Sequence, residues 1–142
     1  MCNSCDVPQR KVLIADDKAR NRELLRIVFE HHGWVATEAS DGFEAVVLAS
    51  AIKPDLVLLD LELSCLNGYA AARQLRDAGQ LSPKSLIALS ETPQDLDVLR
   101  ESGFSDCITK PVLLRVLSER IASYLGAYAA VASGNVQVKQ LP

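Results

Sequence analysis

Five short apolar runs, each followed by a longer segment of helical spacing, constrain the fold of this chain most strongly. The runs cover residues 11–15, 35–39, 56–59, 86–89 and 107–109. Strands that alternate with helices in this way are typical of a parallel sheet with helices on both faces. The runs at 12–14 and 56–59 contain no polar residue, as expected of central strands that are buried on both faces. The sequence therefore predicts an α/β fold with a doubly wound, five-stranded parallel sheet.

Turn and capping residues mark the first three helices. The first helix carries its apolar residues at three- and four-residue spacing, and we expect Gly33 to end it. Asp41 stands at the N-cap position of the second helix, with Glu44 three residues later as in a capping box. Asn67 and Gly68 break the chain before the third helix.

Two prolines are predicted to open the last two helices. Pro93 suits the first turn of a short fourth helix that must end by Gly103. Pro111 gives the fifth helix a good start, and its apolar stripe runs from Val112 to Leu125. Each of the five predicted strands is therefore followed by a helix.

Length and charge limit the classes of function that the chain can serve. With 142 residues, of which 49% are hydrophobic, we expect one domain at residues 11–126 between tails at 1–10 and 127–142. The apolar runs are too short to cross a bilayer, so we expect a cytoplasmic protein with no membrane contact. The net charge of -3 is scattered along the chain, which argues against direct binding of nucleic acid.

The four cysteines do not form a recognisable metal or redox motif. They stand at Cys2, Cys5, Cys65 and Cys107. Cys2 and Cys5 have the C-x-x-C spacing, but a tetrahedral zinc site usually needs a second close pair of ligands. This pair also precedes the first strand, whereas a thioredoxin-like motif opens a helix after a strand. We interpret the cysteines as unpaired thiols of a reducing compartment.

Polar residues terminate four of the predicted strands. The first strand ends in Asp16 and Asp17, the third in Asp60, the fourth in Ser90 and the fifth in Lys110. In an open parallel sheet, ligands bind outside the carboxyl ends of the strands. We therefore expect these five side chains to lie at one edge of the sheet and to form the functional site.

The chemistry of these residue types favours phosphoryl transfer assisted by a metal ion. Three carboxylates at one small site repel one another unless a cation neutralises them. Mg²⁺ fits best, because it binds few protein carboxylates and completes its shell with water and phosphate oxygens. Asp60 is then a candidate nucleophile, while Asp16 and Asp17 hold the metal. Lys110 would pair with one phosphoryl oxygen, and Ser90 would donate a hydrogen bond to another.

Taken singly, each of these residues has a more ordinary interpretation. A lone aspartate at a strand end usually caps a helix, and a lone lysine is usually a solvated surface charge. The chain, however, places an acidic pair, a single aspartate, a hydroxyl and a Lys-Pro after four different strands. Such a combination is hard to obtain by chance and favours the functional interpretation.

The same residues belong to motifs of a known family. The motifs are Ile14-Ala15-Asp16-Asp17, Leu58-Leu59-Asp60-Leu61, Asn67-Gly68, Ala88-Leu89-Ser90 and Ile108-Thr109-Lys110-Pro111. Over residues 11–125 the chain resembles the receiver domains of two-component response regulators. The resemblance implies a flavodoxin-like fold with strand order 2-1-3-4-5.

The resemblance also implies a function. It implies that Asp60 accepts a phosphoryl group from a histidine kinase or a histidine phosphotransfer protein in a phosphorelay. It implies Mg²⁺ bound by Asp16, Asp17, Asp60 and the backbone carbonyl of Glu62. Such a domain is no enzyme in the ordinary sense. It is a signalling switch that assists its own phosphorylation and dephosphorylation.

The family's switch implies further roles and one departure. In the family, the hydroxyl at the Ser90 position swings towards the phosphoryl group, and an outer residue of the fifth strand follows. The face of the fourth helix, fifth strand and fifth helix then changes its contacts with a downstream protein. In this chain the outer residue, usually aromatic, is Cys107. The peptide bond between Lys110 and Pro111 is usually cis in the family.

Two loops also depart from the family pattern. Residues 63–66 lack the Met-Pro that commonly follows the phosphoacceptor, and the loop after Ser90 is shorter than usual. The short loop predicts an abbreviated fourth helix. Glu62 places a carboxylate two residues past the acceptor, where it would affect an attacking water.

Two other functions stay open at this point. A receiver-like module that binds partners without phosphorylation is compatible with the missing aromatic residue and the altered loop. A phosphatase of the haloacid dehalogenase type also uses an aspartate, magnesium and a lysine. Its Asp-x-Asp follows the first strand, however, whereas Asp60-Leu61-Glu62 follows the third predicted strand.

Overall fold

The computed structural model describes residues 9–79 and 85–122. The chain divides into two compact units, Met1–Pro111 and Val112–Pro142. The described residues of the first unit form, in chain order, β1 Lys11–Ala15, α1 Ala19–His31, β2 Val35–Ala39, α2 Gly42–Ile52, β3 Leu56–Asp60, α3 Gly68–Asp77, β4 Leu86–Ser90, α4 Leu96–Glu101 and β5 Asp106–Thr109. In the second unit, residues 114–122 form helix α5 as far as the structure describes it.

The strands form one parallel sheet in the order β2-β1-β3-β4-β5. The predicted α/β fold and the strand order implied by the resemblance are both confirmed. Strands β3 and β4 are buried along their whole length, and β1 is buried except at Lys11. The outer strands β2 and β5 are more exposed. Because all five strands run in one direction, their carboxyl ends lie along one edge of the sheet.

One hydrophobic core lies on the face of the sheet that α2 and α3 cover. The strands contribute alternate residues to it, and the helices contribute mainly small ones: Leu13, Ala15, Val57, Leu59, Leu86 and Ala88 from the strands, and Ala45, Ala49, Ala71, Ala72 and Leu75 from the helices. Alanines let a helix approach a sheet closely and keep the packing dense. This packing fixes two helices that begin at the carboxyl edge.

Side-chain caps begin α2 and α3 as the sequence predicts. The carboxylate of Asp41 accepts a hydrogen bond from the backbone N–H of Glu44 at 2.8 Å. The Glu44 carboxylate reaches back to the backbone N–H of Ser40 at 2.7 Å, one residue before the position that an ideal capping box would use. The side chain of Asn67 accepts from the backbone N–H of Ala70 at 2.9 Å. Both helix starts are therefore fixed by local sequence.

The predicted starts of the last two helices are wrong by a few residues. Helix α4 begins at Leu96, and its N-cap is Asp95, whose side chain accepts from the backbone N–H of Asp97 at 2.8 Å. Pro93 therefore lies outside this helix, since the carboxylate cap two residues later sets the start. The helix is six residues long, so the expected abbreviation is confirmed. Helix α5 begins at residue 114, after Pro111.

Several predictions lie outside the described residues. These are the assignments of Cys2, Cys5 and the tail beyond residue 126. The domain limits at 11 and 126 stay a prediction. Cys65 is an exposed free thiol. Within the described ranges, no helix has the length and apolar character that a bilayer span requires.

Candidate functional site

The carboxyl edge of the sheet brings together four of the predicted site residues. Asp16 and Asp17 follow β1, Asp60 ends β3 and Lys110 follows β5. The buried runs before them place Asp16 and Asp60 inside the fold, with 0% and 4% of their surface exposed. Asp17 is exposed. Two buried carboxylates and one exposed carboxylate therefore share the site.

Lys110 joins the two buried carboxylates through its ammonium group. Its Nζ atom lies 2.7 Å from Oδ2 of Asp60 and 2.9 Å from Oδ2 of Asp16. The Lys110 side chain is 9% exposed. Its backbone N–H donates to the carbonyl of Ser90 at 2.6 Å, which fixes the end of β5 beside β4. The lysine therefore reaches the carboxylates from a rigid position.

The pKa of Lys110 responds to two opposed effects. Burial of the ammonium lowers this pKa, because a charged group loses hydration. Hydrogen bonds to Asp60 and Asp16, together with their negative charges, outweigh burial and raise the pKa of Lys110 above its ordinary value. Lys110 is therefore a cation at neutral pH.

The three aspartates form a group that suits a divalent cation. One carboxylate oxygen from each of Asp16, Asp17 and Asp60 lies within 4.8 Å of the others. The Lys110 ammonium pairs with two of these carboxylates, those of Asp16 and Asp60. Three carboxylates and one ammonium leave the group with net negative charge. Hard oxygen ligands and an exposed third carboxylate fit Mg²⁺, which keeps part of its water shell.

Hydrogen bonds from the first turns after β1 orient Asp16. Its Oδ1 accepts from the backbone N–H of Lys18 at 2.9 Å, and its Oδ2 accepts from Nδ2 of Asn21 at 3.3 Å. Arg22 donates to the Asp16 backbone carbonyl at 2.8 Å and pairs with Glu38 of β2 at 3.0 Å. These contacts are not predicted from the sequence. Asn21 and Arg22 stand in the first turn of the helix that follows the acidic pair. Polar residues at such positions lie close to the end of the preceding strand, and this is the sequence signal for residues that support Asp16.

The loop after β3 orients the Asp60 carboxylate, and two glycines pack closely against the backbone near this loop. Oδ1 of Asp60 accepts from the backbone N–H of Glu62 at 2.9 Å. A Cβ atom on Gly68 would lie 2.3 Å from the Asp60 carbonyl oxygen, so only glycine fits there without a shift. A Cβ atom on Gly42 would lie 1.6 Å from the carbonyl oxygen of Leu66. The sequence identified Gly68 only as a helix start, and its closeness to Asp60 comes from the tertiary fold.

Ser90 lies at the end of β4 as predicted, but its hydroxyl is engaged in the following loop. The hydroxyl donates to the Thr92 carbonyl at 2.7 Å and accepts from the Thr92 backbone N–H at 3.2 Å. It also accepts from Nε2 of Gln94 at 3.1 Å. Cys107 is half-buried on β5 and packs against the core. The roles of Ser90 and Cys107 in a switch, and that of the Glu62 carbonyl in metal binding, stay predictions.

The comparison with protein families decides the classification of the chain. A family model described as the response regulator receiver domain matches residues 12–122. The chain belongs to this family. The Lys110-Pro111 peptide bond of this receiver domain is cis, as the resemblance implied.

Relatives and a solved structure agree with this classification. The receiver domain is 33% identical to protein PilH of Pseudomonas aeruginosa, over 81% of this chain and 97% of PilH. It is 31% identical to the polar-differentiation response regulator DivK of Brucella anthropi, over 82% of this chain and 97% of DivK. A co-crystal structure from Saccharomyces cerevisiae contains the phosphotransfer protein Ypd1 and the receiver domain of the response regulator Ssk1. The match to it has a TM-score of 0.70 and 30% identity, over 81% of this chain and 88% of the matched chain.

Proposed function

We propose that this receiver domain accepts a phosphoryl group on the carboxylate of Asp60 in a reaction that needs Mg²⁺, and that phosphorylation changes its binding to a partner protein. One observation carries the proposal. The buried Asp60 carboxylate lies in a cluster with Asp16 and Asp17 while it contacts the Lys110 ammonium at 2.7 Å. A nucleophile, ligands for a metal and a cation for the phosphoryl oxygens thus converge on one point.

The proposed reaction transfers a phosphoryl group from a phosphohistidine. A carboxylate oxygen of Asp60 forms a bond to phosphorus, and the phosphorus–nitrogen bond breaks. The electron pair of the broken bond returns to the imidazole nitrogen of the donor. The product is an acyl phosphate, and Lys110 is positioned to pair with one of its oxygens. Asp60 needs no proton transfer for the attack, because a carboxylate is already a nucleophile.

The acidic residues of the site are the proposed ligands of the metal ion. Asp16, Asp17 and Asp60, with the backbone carbonyl of Glu62, would hold the Mg²⁺ ion. Bound Mg²⁺ neutralises negative charge between the carboxylates and the transferred group. The Glu62 N–H holds one oxygen of Asp60 at 2.9 Å, which restricts rotation of the carboxylate. The residues of the chain therefore orient the Asp60 carboxylate and neutralise the charge of the transferred phosphoryl group.

The proposed donor is a histidine kinase or a histidine phosphotransfer protein. The structural match to the complex of Ypd1 with the Ssk1 receiver supports this class of donor. The proposed output is a downstream protein that binds at α4 and β5. Leu96 and Val98 support this part of the proposal, because both leave apolar surface exposed on α4.

Intact-mass measurement tests the proposal. The chain is incubated with Mg²⁺ and acetyl phosphate, a small phosphodonor. We expect a mass increase of one phosphoryl group that is absent when EDTA removes Mg²⁺ and absent in Asp60→Asn. Asp77→Asn, which makes the same change at an exposed position on α3, is the matched control and should be labelled like the wild type. An unlabelled wild type, or equal labelling of Asp60→Asn, would contradict the proposal.

A receiver-like interaction module that works without phosphorylation is the second candidate. The engaged hydroxyl of Ser90 favours it, because this group is already bonded within its own loop. The two candidates differ in the behaviour of Asp60→Asn towards a partner protein. Phosphorylation-dependent binding requires Asp60, whereas the module binds equally well without it.

A further inference from the structure

The hydroxyl of Ser90 has no bonding capacity left in this structure. A serine hydroxyl has one hydrogen to donate and two lone pairs that accept. The hydrogen goes to the Thr92 carbonyl, and the lone pairs accept from the Thr92 N–H and the Gln94 amide. Ser90 is also 5% exposed, so water has little access to it. A hydrogen bond from Ser90 to a phosphoryl oxygen therefore requires that the bond to Thr92 break first.

Gln94 connects this hydroxyl to a second element of the fold. Its Nε2 atom donates within 3.1 Å of the Ser90 hydroxyl and within 3.0 Å of the Thr92 hydroxyl. Its Oε1 atom accepts from the hydroxyl of Tyr69 at 3.3 Å. Tyr69 lies in the first turn of α3, directly after Gly68. One amide side chain therefore bridges the loop after β4 and the start of α3.

Tyr69 extends the chain of contacts to the residues before β5. Its ring meets the ring of Phe104 edge to face, with 6.3 Å between the ring centroids. Phe104 is buried, and its backbone N–H donates to the carbonyl of Leu99 in α4 at 3.0 Å. Contacts thus run from Ser90 through Gln94 and Tyr69 to the junction of α4 and β5.

We propose that Gln94 is a positioning residue that holds Ser90 away from the acyl phosphate, and that its release carries the phosphorylation signal through Tyr69 to Phe104. The inference rests on the proposed phosphorylation of Asp60. When Ser90 turns towards a phosphoryl oxygen, Gln94 loses an acceptor and its bridge to Tyr69 is free to rearrange. This route runs through Tyr69 on α3 and Phe104, two residues before β5, and it does not need an aromatic side chain at position 107.

Ser90 and Gln94 should have opposite effects on the stability of the phosphorylated state. Ser90 supplies a hydrogen bond to the bound phosphoryl group, so its loss weakens the phosphorylated state. Gln94 stabilises the state in which that bond is absent, so its loss favours the phosphorylated state by population shift. One neutral hydrogen bond changes such an equilibrium by about three- to tenfold. The effect of Gln94 must pass through the Ser90 hydroxyl.

Binding of beryllium trifluoride, a mimic of the phosphoryl group, tests this assignment by calorimetry on the full chain with Mg²⁺. We expect Gln94→Ala to bind the mimic about three- to tenfold more tightly than the wild type. We expect Ser90→Ala to bind it more weakly and Gln94→Ala to have no further effect in the Ser90→Ala background. Gln74→Ala, which removes an exposed amide on α3, is the matched control and should leave the affinity unchanged.

Nuclear magnetic resonance of Tyr69→Phe tests the second half of the route. This change removes one hydroxyl and keeps the ring against Phe104. In the wild type, we expect the mimic to shift the backbone amide resonance of Phe104. In Tyr69→Phe we expect that shift to be smaller, because the bridge to Gln94 is already broken.

The outcomes separate this inference from the proposed function. A wild type that binds no mimic overturns the proposed function, and the inference falls with it. A wild type that binds the mimic while Gln94→Ala binds it no better overturns the inference alone. An effect of Gln94→Ala that persists without the Ser90 hydroxyl also overturns it, as does an unchanged Phe104 shift in Tyr69→Phe.

Discussion

The functional residues at the carboxyl edge form two halves, one charged and one neutral, that are built in different ways. In the charged half, the ends of β1, β3 and β5 bring together buried charges, with the Lys110 ammonium within 2.9 Å of two aspartates. In the neutral half, the loop after β4 holds Ser90 through neutral hydrogen bonds with Thr92 and Gln94. Buried charges are costly to separate, whereas a neutral hydrogen bond contributes only about 0.5–1.5 kcal/mol and is exchanged more easily. The first half therefore suits chemistry that must stay fixed, and the second suits a change of state.

An ion pair between the two loops connects these halves. Lys18 of the loop after β1 lies 3.8 Å from Glu91 of the loop after β4, and both side chains are about 60% exposed. Exposed pairs of this kind contribute about 0–1 kcal/mol. The loop after β4 can therefore move with little resistance from this contact.

The largest change in stability is expected when the charged half loses the Lys110 ammonium. Without Mg²⁺, Lys110→Met should lower the free energy of unfolding by about 3 kcal/mol, because two buried carboxylates then lack their partner. Urea unfolding in EDTA measures this change. Lys18→Met, which removes an exposed lysine, is the control and should change the free energy by less than about 0.5 kcal/mol. Equal effects of the two changes would show that the halves do not differ in this respect.

High pH should gradually remove the contribution of Lys110 to the free energy of unfolding. The pKa of Lys110 is raised in the folded state, so its contribution to stability is complete below the ordinary value of 10.5. The contribution is lost as the pH rises through the raised pKa of the folded state. The difference in urea midpoint between wild type and Lys110→Met should therefore shrink above pH 10.5. A difference that grows with pH would contradict the ion-pair explanation.

The smallest of these effects concerns support for the metal ligands. Asn21→Ala removes one hydrogen bond to Asp16 and should weaken Mg²⁺ binding by up to about tenfold. Mg²⁺ titration followed by the amide resonances of Asp16 and Asp17 measures the affinity. Gln94→Ala should leave this affinity unchanged, since it acts on the other half. A loss of Mg²⁺ affinity in Gln94→Ala would show that the halves are coupled before phosphorylation.

The charged half could be predicted from the sequence, and the physical reason is burial. A continuous apolar run at Val12–Ile14 or Leu56–Leu59 identifies a central strand, and the first polar residue after it must lie at the sheet edge. Asp16 and Asp60 follow from that rule. Carboxylate oxygens of these two residues lie within 4.8 Å of each other because β1 and β3 are neighbours in the confirmed strand order.

The other half could not be predicted in the same way. Gln94 and Tyr69 are 25 positions apart in the chain, and no periodic pattern links an amide in a loop to a phenol on a helix. Helix α4 is also too short for a clear helical period, so Pro93 suggested a start that the Asp95 side chain overrides. Hydrogen bonds between loops depend on the finished fold and leave little trace in local sequence.

The exposure of Asp17 beside two buried aspartates has a kinetic consequence. A cation that arrives from solvent can meet the exposed Asp17 first, and carboxylate oxygens of the buried Asp16 and Asp60 lie within 4.8 Å of that group. The extent of metal loading should then follow the Mg²⁺ concentration of the surroundings rapidly. In the proposed reaction, a large phosphodonor docked over Asp17 would impede that exchange, so productive encounters would be those in which the ion has entered first.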